Sequence, residues 1–329
     1  MNANLVAAQA TTPRRVAVIL GMHRSGTSLL AQLVARLGVA LGQSVLTQSA
    51  PDNKHGYWEH REIAEIQDLL LAALGRIWHE PRGVLPLPQG WLASEPAAAA
   101  IARLTTIVEA ELAANPGSLW GFKDPRTLRF LPMWHKVFAA CGVAPIFILA
   151  LRRPESVVAS LVKRNGLNPA HARFLWVQHN LEPFRGERVS LAATIDYDQW
   201  FAKPARGLQA ILRAIRSPLP WPVALDLCDL ILDRGERHHL SAGQADATLA
   251  DRIYRLLLDS LPETFRAYRL HQLARQLDES ESMLCAWQEM IEQCQPPGAP
   301  PTAHWARMAA QTKAATVDVA EGDDAANAI

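Results

Sequence analysis

The chain has 329 residues, of which 49% are hydrophobic and 20% are charged, so it can bury one sizeable core, or one core with an appended subdomain. Lys and Arg number 33 against 32 Asp and Glu, and the formal net charge of +1 excludes the large basic excess that is typical of nucleic-acid binders. The longest apolar runs are too short to cross a bilayer and residues 1–15 contain no apolar signal core, so we expect a cytoplasmic protein without a membrane span.

The first element predicted along the chain is a buried parallel strand over the β-branched run Arg14–Leu20, which stops at Gly21. From Thr27 onward the apolar residues recur at helical spacing, and Gly38 is suited to the C-terminal end of that helix. The sequence therefore predicts a strand, a glycine-containing turn and a helix in immediate succession.

Later segments repeat this alternation of strands and helices. Helices are predicted at residues 62–74, 94–114, 247–261 and 263–294, with Ser94 as an N-cap and Pro96 in the following turn. Strands are predicted at residues 119–124, 144–152 and 191–196, and a proline-rich loop at 80–91. The pattern predicts an α/β protein with a parallel sheet, three layers and a helical C-terminal portion.

The predicted domain organisation has three parts. Residues 1–13 are expected to be a flexible N-terminus, residues 14–294 one α/β domain with its helical portion, and residues 295–329 a disordered tail. The four cysteines include no C-x-x-C pair and have no histidine at metal-ligand spacing, so neither a disulfide framework nor a metal site is expected.

The turn after the first strand reads GMHRSGTSLL from Gly21, and it resembles the phosphate loop G-x-x-x-x-G-K-[ST]. The lysine position of that loop holds Thr27, and the fixed cation inside the loop is Arg24. A helix N-terminus with hydroxyls on Ser25, Thr27 and Ser28 predicts an anion site. A nucleotide triphosphatase would also need a lysine and a magnesium-binding aspartate, for which Asp196 and Asp226 are weak candidates.

The same stretch resembles the 5′-phosphosulfate-binding loop of sulfotransferases that use 3′-phosphoadenosine 5′-phosphosulfate, in which a basic residue directly precedes Ser-Gly-Thr. In that family, a later strand ends in an arginine that binds the 3′-phosphate together with a serine eight residues on, and RRPESVVAS supplies both. The resemblance covers roughly residues 16–217, is closest to bacterial sulfotransferase-like proteins and implies a P-loop-like fold. It implies donor contacts from Arg24, Ser25, Gly26, Thr27, Ser28, Arg152 and Ser160.

The resemblance also bears on the catalytic base. Cytosolic sulfotransferases have a K-x-H motif, but the comparable stretch here, FKDPR, has Pro125 in place of the histidine. Relatives that act on sugars or tyrosine side chains use a glutamate downstream of the first loop, which implies Glu59 in GYWEHRE as the base. The alternatives for this role are Asp52, Asp124 and His60.

Lys123, at the end of the predicted strand, matches the family's lysine that approaches the transferred group and the leaving oxygen. Arg126 is expected to hold the acceptor or to pair with Glu59 or Asp124. Tyr57 and Trp58 are candidates for walls of the acceptor pocket, although such aromatic residues are more often part of a core.

The predicted function is therefore sulfuryl transfer to an acceptor hydroxyl, possible acceptors being a carbohydrate, a lipid, a polyketide or a peptide. Two alternatives stay open: an ATP- and magnesium-dependent small-molecule kinase, which Thr27 disfavours, and a nucleotide- or partner-binding module without catalysis. The sequence indicates neither the oligomeric state nor the adenine contacts, since DRGERHH at residues 233–239 only weakly resembles the family's R-x-G motif.

Overall fold

The computed structural model describes residues 13–48, 56–185, 189–232 and 248–293. Residues 1–12, the predicted tail at 295–329, the alternative base Asp52 and the segment DRGERHH lie outside these ranges. The chain divides into two compact units, Met1–Asp278 and Glu279–Ile329, and the first contains the sheet, both core layers and the candidate site.

In the described part of the chain, one sheet of four parallel strands organises the fold. The strands are β1 (Arg14–Leu20), β2 (Trp120–Lys123), β3 (Val143–Leu151) and β4 (Leu191–Asp196), arranged in the order β2-β1-β3-β4. All four were predicted, two of them to the residue, because each is a short apolar or β-branched run. The α/β class with a parallel sheet is confirmed.

The helices alternate with these strands along the first two thirds of the chain. They are α1 (Thr27–Arg36), α2 (Arg61–Ala73), α3 (Glu95–Ala114), α4 (Leu131–Ala140), α5 (Pro154–Asn165), α6 (Pro169–Leu181), α7 (Tyr197–Ala202), α8 (Pro204–Ile215), α9 (Trp221–Asp229), α10 (Leu249–Leu258) and α11 (Glu263–Gln293). Among the described residues, short 3-10 helices lie at Pro81–Val84, Trp91–Ala93, Pro125–Phe130 and Glu182–Phe184. The predicted proline-rich loop at residues 80–91 contains the first of them and ends where the second begins. As predicted, the Ser94 hydroxyl caps α3 by accepting a hydrogen bond of 3.4 Å from the Ala97 amide.

Two hydrophobic clusters pack on opposite faces of the sheet, because successive side chains of a strand point to opposite sides. Val16, Val18 and Leu20 of β1 face the larger cluster, to which α2 through α6, α10 and the first turns of α11 contribute. Ala17 and Ile19 face the smaller cluster, to which α1 and α7 through α9 contribute. The predicted three layers are therefore present.

The strand order places a topological switch beside β1. The chain leaves β1 for β2 on one side and then returns to the other side of β1 as β3. In open α/β sheets, ligands bind in the crevice at the carboxyl ends of strands where the order reverses in this way. The two segments that border this crevice are residues 21–26, after β1, and residues 152–153, after β3. Within the described ranges, no helix is long and apolar enough to cross a membrane.

Candidate anion-binding and catalytic site

The loop between β1 and α1 has the conformation of an anion cradle. The helix begins at Thr27, and its N-cap Gly26 is left-handed, with φ at +84°. Arg24 is also left-handed, with φ at +68°, and the Ser25 amide donates to the Met22 carbonyl over 3.2 Å. The first turn of α1 contains no acidic residue, so the positive end of the helix dipole is not neutralised by its own side chains.

Two glycines are required by the close packing around this loop. A Cβ atom on Gly21 would lie 2.6 Å from the Ala150 carbonyl oxygen on β3. A Cβ atom on Gly26 would lie 2.3 Å from Cδ2 of Tyr197, at the start of α7. The loop is therefore held between β3 on one side and the Tyr197 ring on the other.

The two motifs that were predicted from separate parts of the sequence meet in space. Arg24 Nε donates to Ser160 Oγ over 2.8 Å, and Arg152 Nη1 donates to the Arg24 carbonyl over 3.1 Å. The Arg152 guanidinium also lies 4.4 Å from the centre of the Tyr197 ring, and Trp176 Nε1 donates to the Arg152 carbonyl over 3.0 Å. These contacts bring two arginines and two hydroxyl-bearing segments to one end of the crevice.

Arg152 and Ser160 are both buried, with 6% and 5% of their surface exposed. Burial lowers the pKa of Arg152, and nearby Tyr197 and Asp198 partly offset that effect. Because burial disfavours the charged form, an anion placed beside this guanidinium would stabilise it. Arg153, by contrast, is half exposed and lies 3.8 Å from Asp198.

A second group of charged side chains lies at the end of β2. Lys123 Nζ donates to Glu59 Oε1 over 2.8 Å and to the Tyr57 carbonyl over 3.0 Å. Arg126 Nη1 is 2.8 Å from Asp124 Oδ2 and 3.6 Å from Glu59 Oε2. This buried group contains two cations and two carboxylates, and Arg126 also pairs with Asp68 at its exposed edge.

The electrostatics of the two carboxylates differ. Burial raises the pKa of Glu59, but the neighbouring Lys123 and Arg126 outweigh burial and hold that pKa below its usual value. For Asp124, which is fully buried, burial outweighs Arg126 and raises the pKa to about 6. Glu59 is therefore ionised at neutral pH and lies in direct contact with the candidate catalytic lysine.

The alternative bases are placed differently. The His60 ring turns away from the cluster, and its Nε2 lies 3.1 Å from Glu111 Oε1 of α3. Asp124 accepts hydrogen bonds from the Arg126 amide and guanidinium, both over 2.8 Å, which identifies it as the group that holds Arg126 in place. Glu59 and His60, which are consecutive in the extended segment before α2, thus face opposite ways. Glu59 faces Lys123 and His60 faces Glu111.

The two aromatic residues before Glu59 have different surroundings. Trp58 has a left-handed backbone, with φ at +58°, and packs against the smaller hydrophobic cluster. Tyr57 contributes its carbonyl oxygen, which accepts hydrogen bonds of 3.0 Å from Ser28 Oγ and from Lys123 Nζ. The backbone of Tyr57 therefore links the anion loop to the charged group at the end of β2.

Sequence reasoning missed two residues, His23 within the loop and Tyr197 beside it. His23 is a variable position of the phosphate-loop pattern, and no pattern assigns it a role. Tyr197 follows the predicted strand β4, and the topology that brings the end of β4 beside β3 was the only available signal.

Within the described part of the chain, no group of three His, Cys, Asp or Glu side chains is placed to hold a metal ion. Asp196, one of the weak candidates for a magnesium aspartate, caps α7 and accepts a hydrogen bond of 2.9 Å from the Tyr254 hydroxyl. Cys141 and Cys228 are not in disulfides.

Comparison with known proteins gave matches only among solved structures, since no family model and no curated protein matches the chain. Two are sulfotransferase domains: that of the Synechococcus PCC 7002 olefin synthase is 17% identical over 79% of this chain and 94% of its own, with a TM-score of 0.42. The sulfotransferase domain of the curacin biosynthetic pathway is 16% identical over 80% of this chain and 97% of its own, with a TM-score of 0.41. Sulfotransferase STF1 from Mycobacterium tuberculosis H37Rv is 15% identical over 66% of this chain and 71% of its own, with a TM-score of 0.34.

These neighbours carry the name of the family that the two sequence motifs resemble.

We expect Gly26→Ala to destabilise the protein more than backbone strain alone would. A left-handed non-glycine residue costs on the order of 1 kcal/mol, and the added methyl group would also collide with the Tyr197 ring. Gly75→Ala is the matched control, because Gly75 has φ at +66° and nothing within 4 Å of its would-be Cβ atom. Urea denaturation should show a clearly larger loss for Gly26→Ala, and equal losses would mean that the Tyr197 ring does not confine the loop.

Proposed function

We propose that this protein is a sulfotransferase that uses 3′-phosphoadenosine 5′-phosphosulfate as its donor and a hydroxyl group as its acceptor. The observation that carries the proposal is the meeting of the two predicted anion motifs, with Arg24 Nε 2.8 Å from Ser160 Oγ and Arg152 Nη1 3.1 Å from the Arg24 carbonyl. A nucleotide with anionic groups on both its 3′ and 5′ positions needs two cationic anchors side by side, and this crevice has them.

The side chains present fit such a nucleotide. Ser25 Oγ is buried and has no hydrogen-bond partner among the described residues, although it lies in the loop at the N-terminus of α1. A buried hydroxyl without a partner is costly, so a ligand that accepts its hydrogen bond would remove that cost. Ser25, Gly26, Thr27 and Ser28 would hold the 5′ group together with Arg24, and Arg152 and Ser160 the 3′-phosphate.

The chemistry is assigned to the charged group at the end of β2. When bound, the donor supplies a sulfuryl group whose bridging oxygen leaves with the nucleotide. Glu59, which is ionised at neutral pH, accepts the proton of the acceptor hydroxyl. Lys123 fixes the Glu59 carboxylate and stabilises the negative charge that develops on the leaving oxygen. Arg126, held by Asp124, adds a second fixed cation.

The acceptor is proposed to be the hydroxyl of a small molecule or carbohydrate, and we place the reaction in the cytoplasm without a nucleic-acid partner or a metal ion. The near-balance of 33 basic and 32 acidic residues supports the exclusion of nucleic acid. Two observations weaken the alternative of a kinase. Thr27 occupies the lysine position, and Asp196, a weak candidate for the magnesium-binding aspartate, caps α7.

Donor choice is the direct test of this function. Adenosine 3′,5′-bisphosphate should raise the melting temperature without magnesium, and a hundredfold excess over its dissociation constant corresponds to about 2.7 kcal/mol. ATP should have little effect, because the loop has no lysine for its terminal phosphates. Stronger stabilisation by ATP with magnesium would instead identify a kinase, and stabilisation by the bisphosphate without any sulfate transfer to a panel of hydroxyl acceptors would identify a non-catalytic nucleotide binder.

Arg152→Ala should weaken binding of adenosine 3′,5′-bisphosphate by about 1.5–3 kcal/mol, because a charged hydrogen bond to the 3′-phosphate is lost. Adenosine 5′-phosphosulfate, which has no 3′-phosphate, should bind both proteins alike in calorimetry. Arg153→Ala is the control, since this neighbouring guanidinium is half exposed and pairs only loosely with Asp198. If both nucleotides weaken together, Arg152 supports the loop through the Arg24 carbonyl and does not read the 3′-phosphate.

Glu59→Gln should reduce turnover by about 10²–10⁴, because the amide keeps the shape of the carboxylate but cannot accept a proton. The bisphosphate should still bind near its wild-type affinity, since Glu59 faces the proposed acceptor side. Transfer of labelled sulfate would measure turnover, and Glu62→Gln, an exposed change in the first turn of α2, is the control. Full activity would remove Glu59 as the base, and a collapse of the melting temperature would show that its main role is to neutralise Lys123.

A further inference from the structure

His23 is a buried histidine within the anion loop, directly before Arg24. The residue is only 8% exposed, and its ring stacks on Trp78 with centroids 3.8 Å apart and planes 16° apart. The edge of the His179 ring lies on another side, at a centroid distance of 6.4 Å. His23 Nε2 is buried and has no hydrogen-bond partner among the described residues. The ring is thus fixed in orientation by its neighbours while one nitrogen is left for a ligand.

Charged or titratable groups from four elements act on this ring. They are Lys123 at the end of β2, Arg126 in the 3-10 helix that follows, Arg164 in the last turn of α5 and His179 on α6. Burial has the largest effect on the pKa of His23, and the electrostatic effect of these groups adds to it. Together they hold that pKa well below its usual value. In the ligand-free protein the ring is therefore neutral at neutral pH.

A bound anion would reverse the local potential. The other groups that the loop presents to a ligand are donors, namely backbone amides, hydroxyls and the Arg24 guanidinium, and an anion has no hydrogen to give. A protonated imidazole beside such a ligand would be one more donor, and the negative charge would favour its protonated form. A neutral histidine among cations is thus suited to gain a proton when the anion arrives.

We propose that His23 is an additional ligand of the nucleotide's 5′ anionic group and takes up a proton when the nucleotide binds. The inference rests on the proposed function, because it assumes that the crevice binds a nucleotide. It adds to the loop a residue that the Arg-Ser-Gly-Thr-Ser pattern does not contain.

Proton uptake makes affinity depend on pH in a definite direction. The pKa of His23 is higher in the complex than in the free protein, so the complex binds more protons and binding tightens as pH falls. The contribution of His23 to affinity changes with pH only between the pKa of His23 in the free protein and its pKa in the complex. In that range, uptake of one full proton changes the affinity about tenfold per pH unit. Below the free-state pKa the ring is protonated in both states and the dependence on pH disappears.

The test is calorimetric titration with adenosine 3′,5′-bisphosphate at pH 6 in two buffers of different ionisation enthalpy, which yields the number of protons taken up. Wild type is compared with His23→Gln, which keeps a donor at the position of Nε2 but does not titrate. His171→Gln is the matched control, because His171 is a half-buried histidine whose Nε2 lies 3.1 Å from the Glu80 carbonyl, outside the loop. Proton exchange by the ligand's own phosphates is common to all three proteins and cancels in the differences.

We expect wild type and His171→Gln to take up the same fraction of a proton, and His23→Gln to take up measurably less while it binds within about threefold of wild type. His23→Phe keeps a flat ring against Trp78 but has no donor, so its affinity should fall by about ten- to a hundredfold. Melting temperatures without ligand identify any variant that is damaged in folding.

The outcomes separate the two proposals. If wild type does not bind the bisphosphate, the proposed function fails. If wild type binds it and His23→Gln takes up as many protons, the role of His23 is overturned while the function stands. Unchanged nucleotide binding in both His23 variants with impaired sulfate transfer would likewise overturn it, and would assign the ring to the acceptor side.

Discussion

The close contact between Gly21 and the Ala150 carbonyl determines the direction in which the chain leaves β1. The positions of the other residues of the candidate site depend on that direction. The separation leaves no room for a Cβ atom, so the loop begins against the last residues of β3. Once the loop lies there, Arg24 reaches Ser160 of α5, and Arg152 at the end of β3 reaches the Arg24 carbonyl. The parallel register of β1 and β3 thus brings two distant sequence motifs together in one crevice.

The charges in the crevice form two groups with different electrostatic roles. At the end of β2, Lys123 and Arg126 are matched by Glu59 and Asp124, so this group is close to neutral when both carboxylates are ionised. Such a group can position atoms precisely without strongly attracting an anion. Attraction must come mainly from the other group, the arginines beside α1, whose first turn contains no carboxylate. The arginines beside α1 and the charged group at the end of β2 are therefore separate sets of residues with different net charge.

The sequence was sufficient to predict the elements that carry strong local signals. The strands were visible because each is an apolar run of four to nine residues. The loop and the Arg152–Ser160 pair were singled out because they follow such runs and resemble the two motifs of a known family. The helices α4 and α6 through α9 were not predicted individually, since tertiary packing decides them more than local pattern does. The direction of His60 could not be predicted either: it depends on Glu111, 51 residues later, being close by. The His23–Trp78 stack likewise joins segments that no local pattern connects.

The link between the anion loop and Lys123 runs through a main-chain atom, because Ser28 and Lys123 both donate to the carbonyl oxygen of Tyr57. A carbonyl oxygen is supplied by every amino acid, so the link does not depend on the side chain at position 57. Evolution could therefore exchange the side chain at position 57 and keep the connection between the anion loop and the charged group at the end of β2.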